Sequence, residues 1–136
     1  MKRPTILVVD DNVTNLKLAC DVLAFDGFDV RRASDAAEAA LLIGQALPDL
    51  ILMDIQMPGI DGLTFTRQLK DDERTRGIVI VALTSSAMIG DEERTRQAGC
   101  DGYIAKPIES RKLGQQVSAV YEKMGPAGSS PTNARQ

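Results

Sequence analysis

The sequence predicts an α/β protein, a parallel β-sheet covered by helices on both faces. Two observations carry that. Short apolar runs (Ile6-Leu7-Val8-Val9, Leu50-Ile51-Leu52-Met53, Ile78 to Leu83 and the brief Tyr103-Ile104-Ala105) are mostly unbroken by polar residues. A strand buried on both faces reads that way. Longer amphipathic stretches lie between them, so the order strand–helix recurs five times from end to end.

Taken in order, each element has its own punctuation. After the strand at Ile6–Val9, a helix spans about Asn12 to Asp26 and stops at Gly27, suited to the left-handed residue that closes a helix. Phe28-Asp29-Val30-Arg31 alternates apolar and polar, so it is expected at an edge with one face wet. Ser34 or Asp35 caps the second helix, and Glu38 stands at capping-box spacing from Asp35. This Ala-rich helix is expected to end at Pro48. The third helix starts near Asp61 and fades around Asp71; the fourth runs from about Ser86 to Gly99. In the last, Leu113, Val117, Val120, Tyr121 and Met124 form one stripe at helical period. From Gly125 onward nothing is available to bury. Residues 1–124 are therefore expected to form one domain and 125–136 a disordered tail or linker stub.

Composition narrows the function. A length of 136 residues suits one domain with one core. The net charge is −3 and no Lys/Arg run forms a stripe, which argues against nucleic-acid binding by bulk electrostatics. The first apolar run is too short for a signal segment or a membrane span, so a cytoplasmic location with Cys20 and Cys100 reduced is expected. There is no histidine. That excludes imidazole acid–base chemistry, histidine-ligated metals and a role as a phosphohistidine carrier.

Four of the five strands end on a residue suited to phosphate chemistry: Asp10 and Asp11, Asp54, Thr84 and Lys106. In a parallel sheet all strand C-termini share one rim, where open α/β sheets bind ligands, so these groups converge. Three carboxylates in close quarters repel unless a cation sits among them. With no His or Cys ligand on offer the cation is hard, and Mg²⁺ fits best because it keeps waters that a phosphate can replace. Lys106 adds a second positive charge and Thr84 a hydroxyl donor. A carboxylate nucleophile, a metal, an ammonium and a hydroxyl suffice for phosphoryl transfer.

The segments around these residues are Val8-Val9-Asp10-Asp11-Asn12, Met53-Asp54-Ile55-Gln56-Met57-Pro58-Gly59-Ile60-Asp61-Gly62, Ala82-Leu83-Thr84-Ser85 and Tyr103-Ile104-Ala105-Lys106-Pro107-Ile108. Together they resemble the signature segments of response-regulator receivers of the CheY-like superfamily, over residues 5–124. The resemblance implies a flavodoxin-like (βα)5 doubly wound sheet of strand order 2-1-3-4-5, whose order reverses between the strands that carry the aspartates. It implies that Asp54 is the phosphoacceptor, and that Asp11, Asp54 and the backbone carbonyl of Gln56 hold Mg²⁺, with Asp10 acting mostly through water. Lys106 would pair with the phosphoryl oxygens, its bond to Pro107 would be cis, and Thr84 and Tyr103 would form a switch pair. The function implied is that of a phosphoacceptor in a two-component phosphorelay. Its donor would be a histidine kinase or histidine phosphotransfer protein. Its target would be a protein bound at the face of the fourth helix, fifth strand and fifth helix, with no nucleic acid and no membrane. Such a protein assists its own phosphorylation and dephosphorylation and is otherwise not an enzyme. Asn12, Asn15, Gln56 and Gly90-Asp91-Glu92-Glu93-Arg94 resemble single-domain cell-cycle regulators of the DivK type, or hybrid-kinase receivers.

Each residue alone has a duller reading. Asp10-Asp11 could simply open the first helix, where acids suit the dipole. Asp54 could be a loop residue, Met57-Pro58-Gly59 and Asp61-Gly62 turn and cap chemistry, and Tyr103 a packing residue. Cys20, Cys100 and the methionines are assigned to packing. These readings fail jointly, because they leave the convergence on phosphate and Mg²⁺ chemistry unexplained. A phosphatase of the haloacid-dehalogenase type would need a second acid two residues after its nucleophile, where this chain has Gln56, and a cap domain. A degenerate receiver would lack part of the set Asp10, Asp11, Asp54, Thr84 and Lys106, which is intact.

Overall fold

Strand and helix alternate without exception through β1 (Thr5–Val9), α1 (Val13–Phe25), β2 (Asp29–Ala33), α2 (Ala36–Gln45), β3 (Leu50–Asp54), α3 (Gly62–Asp71), β4 (Val79–Thr84), α4 (Ile89–Ala98), β5 (Gly102–Ala105) and α5 (Leu113–Met124). The structure is a computed structural model that describes residues 4–56, 61–84 and 89–124, without the side chains of 89–92 and 124. Met57 to Ile60, Ser85, the expected helix start at Ser86, the side chain of Met124 and the expected tail 125–136 lie outside the described residues.

All five strands are parallel, in the order β2-β1-β3-β4-β5. This is the flavodoxin-like sheet, with the reversal between β1 and β3. The unbroken apolar strands are explained by packing on both faces. Leu7, Val9, Ile51, Met53, Ile80 and Ala82 point to one layer, where Ala39 and Ile43 of α2, Leu63, Phe65 and Leu69 of α3 and Ala98 of α4 meet them. Ile6, Val8, Leu50, Leu52, Val79, Val81 and Leu83 point to the other, against Leu16, Ala19 and Leu23 of α1 and Leu113 and Val117 of α5. Each such large side chain contributes roughly 1.5–3 kcal/mol relative to exposure.

The helix ends follow local chemistry. Asn12, Asp35 and Asp61 cap α1, α2 and α3 by accepting the N–H groups of Asn15, Glu38 and Thr64. α1 and α4 close on Gly27 and Gly99, at φ 99° and 107°. In each case the next residue's N–H reaches back to the last turn, Phe28 to Leu23 and Cys100 to Thr95. Two boundaries differ from expectation for local reasons. Phe28 belongs to that closing turn and β2 begins at Asp29, running on to Ala33. α2 stops at Gln45, before Pro48: Pro48 holds Leu47 out of the helical region, and Ala46 ahead of it is already extended. At the start of α2 the expected capping box is present: Asp35 is the cap, and Glu38 reaches back to accept the N–H and hydroxyl of Ser34. No described helix is long and apolar enough to cross a membrane.

Candidate functional site

Parallel strands deliver their last residues to one rim. The chain leaves β1 through Asp10, buried with 1% exposure, and Asp11, which is exposed. Asp10 Oδ1 accepts the Asn12 N–H at 2.9 Å, while its Oδ2 has no hydrogen-bond partner among the described residues. The cap of α1 is Asn12, so helix entry does not account for the buried second oxygen of Asp10. β3 ends on Asp54, also buried, whose Oδ1 accepts the Gln56 N–H at 3.0 Å. One carboxylate oxygen from each of Asp10, Asp11 and Asp54 lies within 4.8 Å of the others.

Lys106 follows β5 and reaches both buried acids, its Nζ 3.5 Å from Asp10 Oδ2 and 3.4 Å from Asp54 Oδ1. Its backbone N–H donates to Thr84 O at 2.7 Å, and its bond to Pro107 is cis. Thr84 closes β4 in a buried position, next to Leu83, which pairs with Asp54 across the sheet. Tyr103 pairs with Ala82 and is half-buried against the layer of α2, α3 and α4. The structure thus brings Asp10, Asp11, Asp54 and Lys106 into one cluster, with Thr84 on the adjacent strand end and Tyr103 a strand further out.

Charge in this cluster is unbalanced, with three carboxylates facing one ammonium. Two carboxylates ~5 Å apart repel by up to about 3 kcal/mol at an effective dielectric of ~20. Burial pushes the Asp54 carboxyl above the ordinary carboxylate range. The Gln56 N–H lowers it, the Asp10 charge raises it and the Lys106 ammonium lowers it. The donors are all oxygen, and Asp10 Oδ2 is buried without a hydrogen bond. That combination fits a hard divalent cation of the Mg²⁺ kind and no thiolate- or imidazole-loving metal.

The response regulator receiver domain family matches residues 6–118. This chain belongs to that family. It is 48% identical over 104 residues to the polar-differentiation response regulator DivK of Brucella ovis, covering 76% of this chain and 85% of that protein. A crystal structure from Chloroflexus aurantiacus, described as a response regulator, superposes at a TM-score of 0.84 with 34% identity, covering 89% of this chain and 99% of that one. The chemotaxis protein CheY4 of Vibrio cholerae superposes at 0.82 with 24% identity over 87% of this chain and 98% of its own, a likeness of fold alone. Receivers bind Mg²⁺ at an acidic pocket, and the aspartates of this receiver form one.

Sequence reasoning missed two contributors. One is the Gln56 N–H, which orients Asp54 and leaves no trace in residue type because any residue but proline offers it. The other is Gly62, read only as turn chemistry, whose N–H donates to Ile55 O at 3.3 Å directly beneath the site. The available signal was a glycine directly after the cap residue Asp61, since glycine at a helix start also marks close approach of backbones.

Proposed function

We propose that this receiver is the phosphoacceptor of a two-component phosphorelay, taking a phosphoryl group onto Asp54 and signalling through protein contacts. One observation carries the reading. Asp54, buried at the end of β3, shares its cluster with Asp10 and Asp11 and lies 3.4 Å from the Lys106 ammonium. An Asp54 oxygen attacks the phosphorus of a phosphohistidine on a histidine kinase or histidine phosphotransfer protein. The O–P bond forms, the P–N bond breaks, and the electron pair leaves with the imidazole, which takes up a proton. Such transfer depends on placement and charge neutralisation.

The chain's own residues supply both. The Gln56 N–H fixes one oxygen of Asp54. Lys106 pairs with the phosphoryl oxygens, and the Thr84 hydroxyl donates to one of them. Asp11, Asp54 and the backbone carbonyl of Gln56 would hold Mg²⁺, with Asp10 acting mostly through water. When bound, the ion offsets the charge of the carboxylates and of the incoming phosphoryl group. Once Asp54 is phosphorylated, Thr84 moves toward it and Tyr103 turns into the space behind, changing the α4–β5–α5 face presented to a downstream protein. The unit doing this is residues 1–124, with 125–136 a tail or linker stub. It acts in the cytoplasm, and its partners are proteins rather than nucleic acid or membrane. It assists its own phosphorylation and dephosphorylation and is otherwise not an enzyme.

Incubation with acetyl phosphate and Mg²⁺, followed by intact mass measurement, tests the reading. One phosphoryl group is expected, and borohydride trapping should map it to Asp54. An adduct on Asp10 or Asp11 would overturn the assignment. Turnover of added phosphomonoesters would reveal a phosphatase, and no mass gain a binding module without phosphorylation.

A further inference from the structure

We infer that Gly62 is a positioning residue for phosphoryl transfer: its missing side chain lets α3 sit directly on the backbone of Asp54 and Ile55, fixing the turn that aims the Asp54 carboxylate. The inference rests on Asp54 being the phosphoacceptor. A Cβ at position 62 would stand 2.4 Å from the Asp54 carbonyl oxygen and 2.6 Å from Ile55 Cα. Both are backbone atoms, so no rotamer change relieves the clash. Gly62 is not among the positive-φ glycines, so close approach and not backbone conformation demands glycine here.

Hydrogen bonds hold the contact from both sides. The Gly62 N–H donates to Ile55 O at 3.3 Å, and the Ile55 N–H donates to Leu83 O of β4 at 3.1 Å. The hydroxyl of Thr66, fully buried one turn along α3, donates to Gly62 O at 2.8 Å. The segment after Asp54 is therefore clamped between β4 and α3, and the next N–H, that of Gln56, is delivered to Asp54 Oδ1 at 3.0 Å. A methyl group at 62 forces the start of α3 back by roughly 1 Å to reach ordinary contact near 3.5 Å. Asp54 Oδ1 then shifts relative to Lys106, and misplacements of about 1 Å at a reacting atom can cost on the order of 10²-fold in rate.

The test uses the full chain and compares Gly62→Ala with Gly102→Ala. At position 102, at the start of β5 and opposite Val81 of β4, an added Cβ would meet Val120 Cγ2 at 2.8 Å, a milder clash with a side chain. Melting curves establish folding, NMR titration gives Mg²⁺ affinity, and intact mass follows phosphorylation by acetyl phosphate at saturating Mg²⁺. Gly62→Ala should lower the saturating-Mg²⁺ rate at least tenfold and weaken Mg²⁺ binding, while Gly102→Ala stays within about twofold of the parent in both. Equal losses in both variants would mean general softening, and parent-like Gly62→Ala would mean the contact does not position Asp54; either overturns the inference. If Gly62→Ala does not fold, the decision passes to the near-isosteric Thr66→Val, which removes the hydroxyl bond to the Gly62 carbonyl. A several-fold slower rate with unchanged fold supports the clamp, and a parent rate overturns it. A parent protein that never gains phosphate would instead remove the Asp54 reading itself, and this inference with it.

Discussion

The two ends of the sheet each set a lysine against buried or half-buried acid, one carboxylate at one end and several at the other, and they differ in how completely the charges are answered. At the end where the strands begin, Lys70 Nζ donates to Arg76 O, Ile78 O and Asp101 Oδ2, at 3.1, 2.8 and 3.0 Å. Asp101 Oδ2 also accepts the Ile80 N–H at 2.8 Å. One cation meets one anion, and each is further hydrogen-bonded. At the end where the strands finish, Lys106 faces Asp10 and Asp54 at 3.4–3.5 Å, Asp11 stands close by, and Asp10 Oδ2 lacks a hydrogen bond. The first cluster is closed, and serves to tie α3 to β4 and the approach to β5. Among the described residues the second has more negative than positive charge and one buried acceptor without a hydrogen bond, a donor set that fits a cation.

The sharpest way to break this contrast is to neutralise one acid from each end. Asp54→Asn should abolish phosphorylation by acetyl phosphate outright, and Asp101→Asn should leave its rate within about twofold while lowering stability. Intact mass and urea melts read the two effects, and a phosphorylated Asp54→Asn protein would dissolve the distinction.

Next in size is the response to phosphorylation. Thr84→Ala should still take phosphate yet lose most of the conformational change. Backbone NMR shifts on adding beryllofluoride, followed over residues 89–121, compare it with the parent. Equal shift changes in both would make Thr84 a bystander.

A smaller effect belongs to the closed end. Lys70→Met should cost about 2 kcal/mol in urea denaturation, because it leaves Asp101 and two carbonyls underserved at a partly exposed position. Phosphorylation should be unaffected, and a loss below about 0.5 kcal/mol would show that the cluster ties nothing together.

The smallest effect has the opposite sign. Asp11→Asn should stabilise the metal-free protein by ~1 kcal/mol, since Asp11 is exposed and its repulsion is screened. In EDTA this is a rise in melting temperature of roughly 4 °C, accompanied by weaker Mg²⁺ binding. Lower melting with unchanged Mg²⁺ binding would place Asp11 outside the site.

Much of this was legible in the chain because it depends on residue type at strand and helix ends. Val9 before Asp10, Met53 before Asp54 and Leu83 before Thr84 mark where burial gives way to chemistry, and a parallel sheet gathers such positions without further information. Gly27 and Gly99 stopped their helices as glycines do. Boundaries shifted where two local rules competed, as at Phe28, which reads as strand by alternation but closes α1 through its N–H. What stayed illegible depends on distance in space between residues of ordinary type. Lys70 and Asp101 are separated by 31 positions and nothing in either marks the pairing. Gly62 reads as one more turn glycine, because its closeness to the backbone of Asp54 and Ile55 exists only in the fold.

The alternation of side chains along the strands has a thermodynamic consequence. Leu7 and Val9 pack only with the layer of α2, α3 and α4, and Ile6 and Val8 only with that of α1 and α5. The hydrogen-bonded sheet is therefore a partition between two small cores that share walls but few neighbours. Truncations such as Ile43→Val in one and Leu23→Ala in the other should sum in their free energies, because their surroundings do not overlap. A substitution that loosens the packing of one compartment should likewise leave the packing of the other in place.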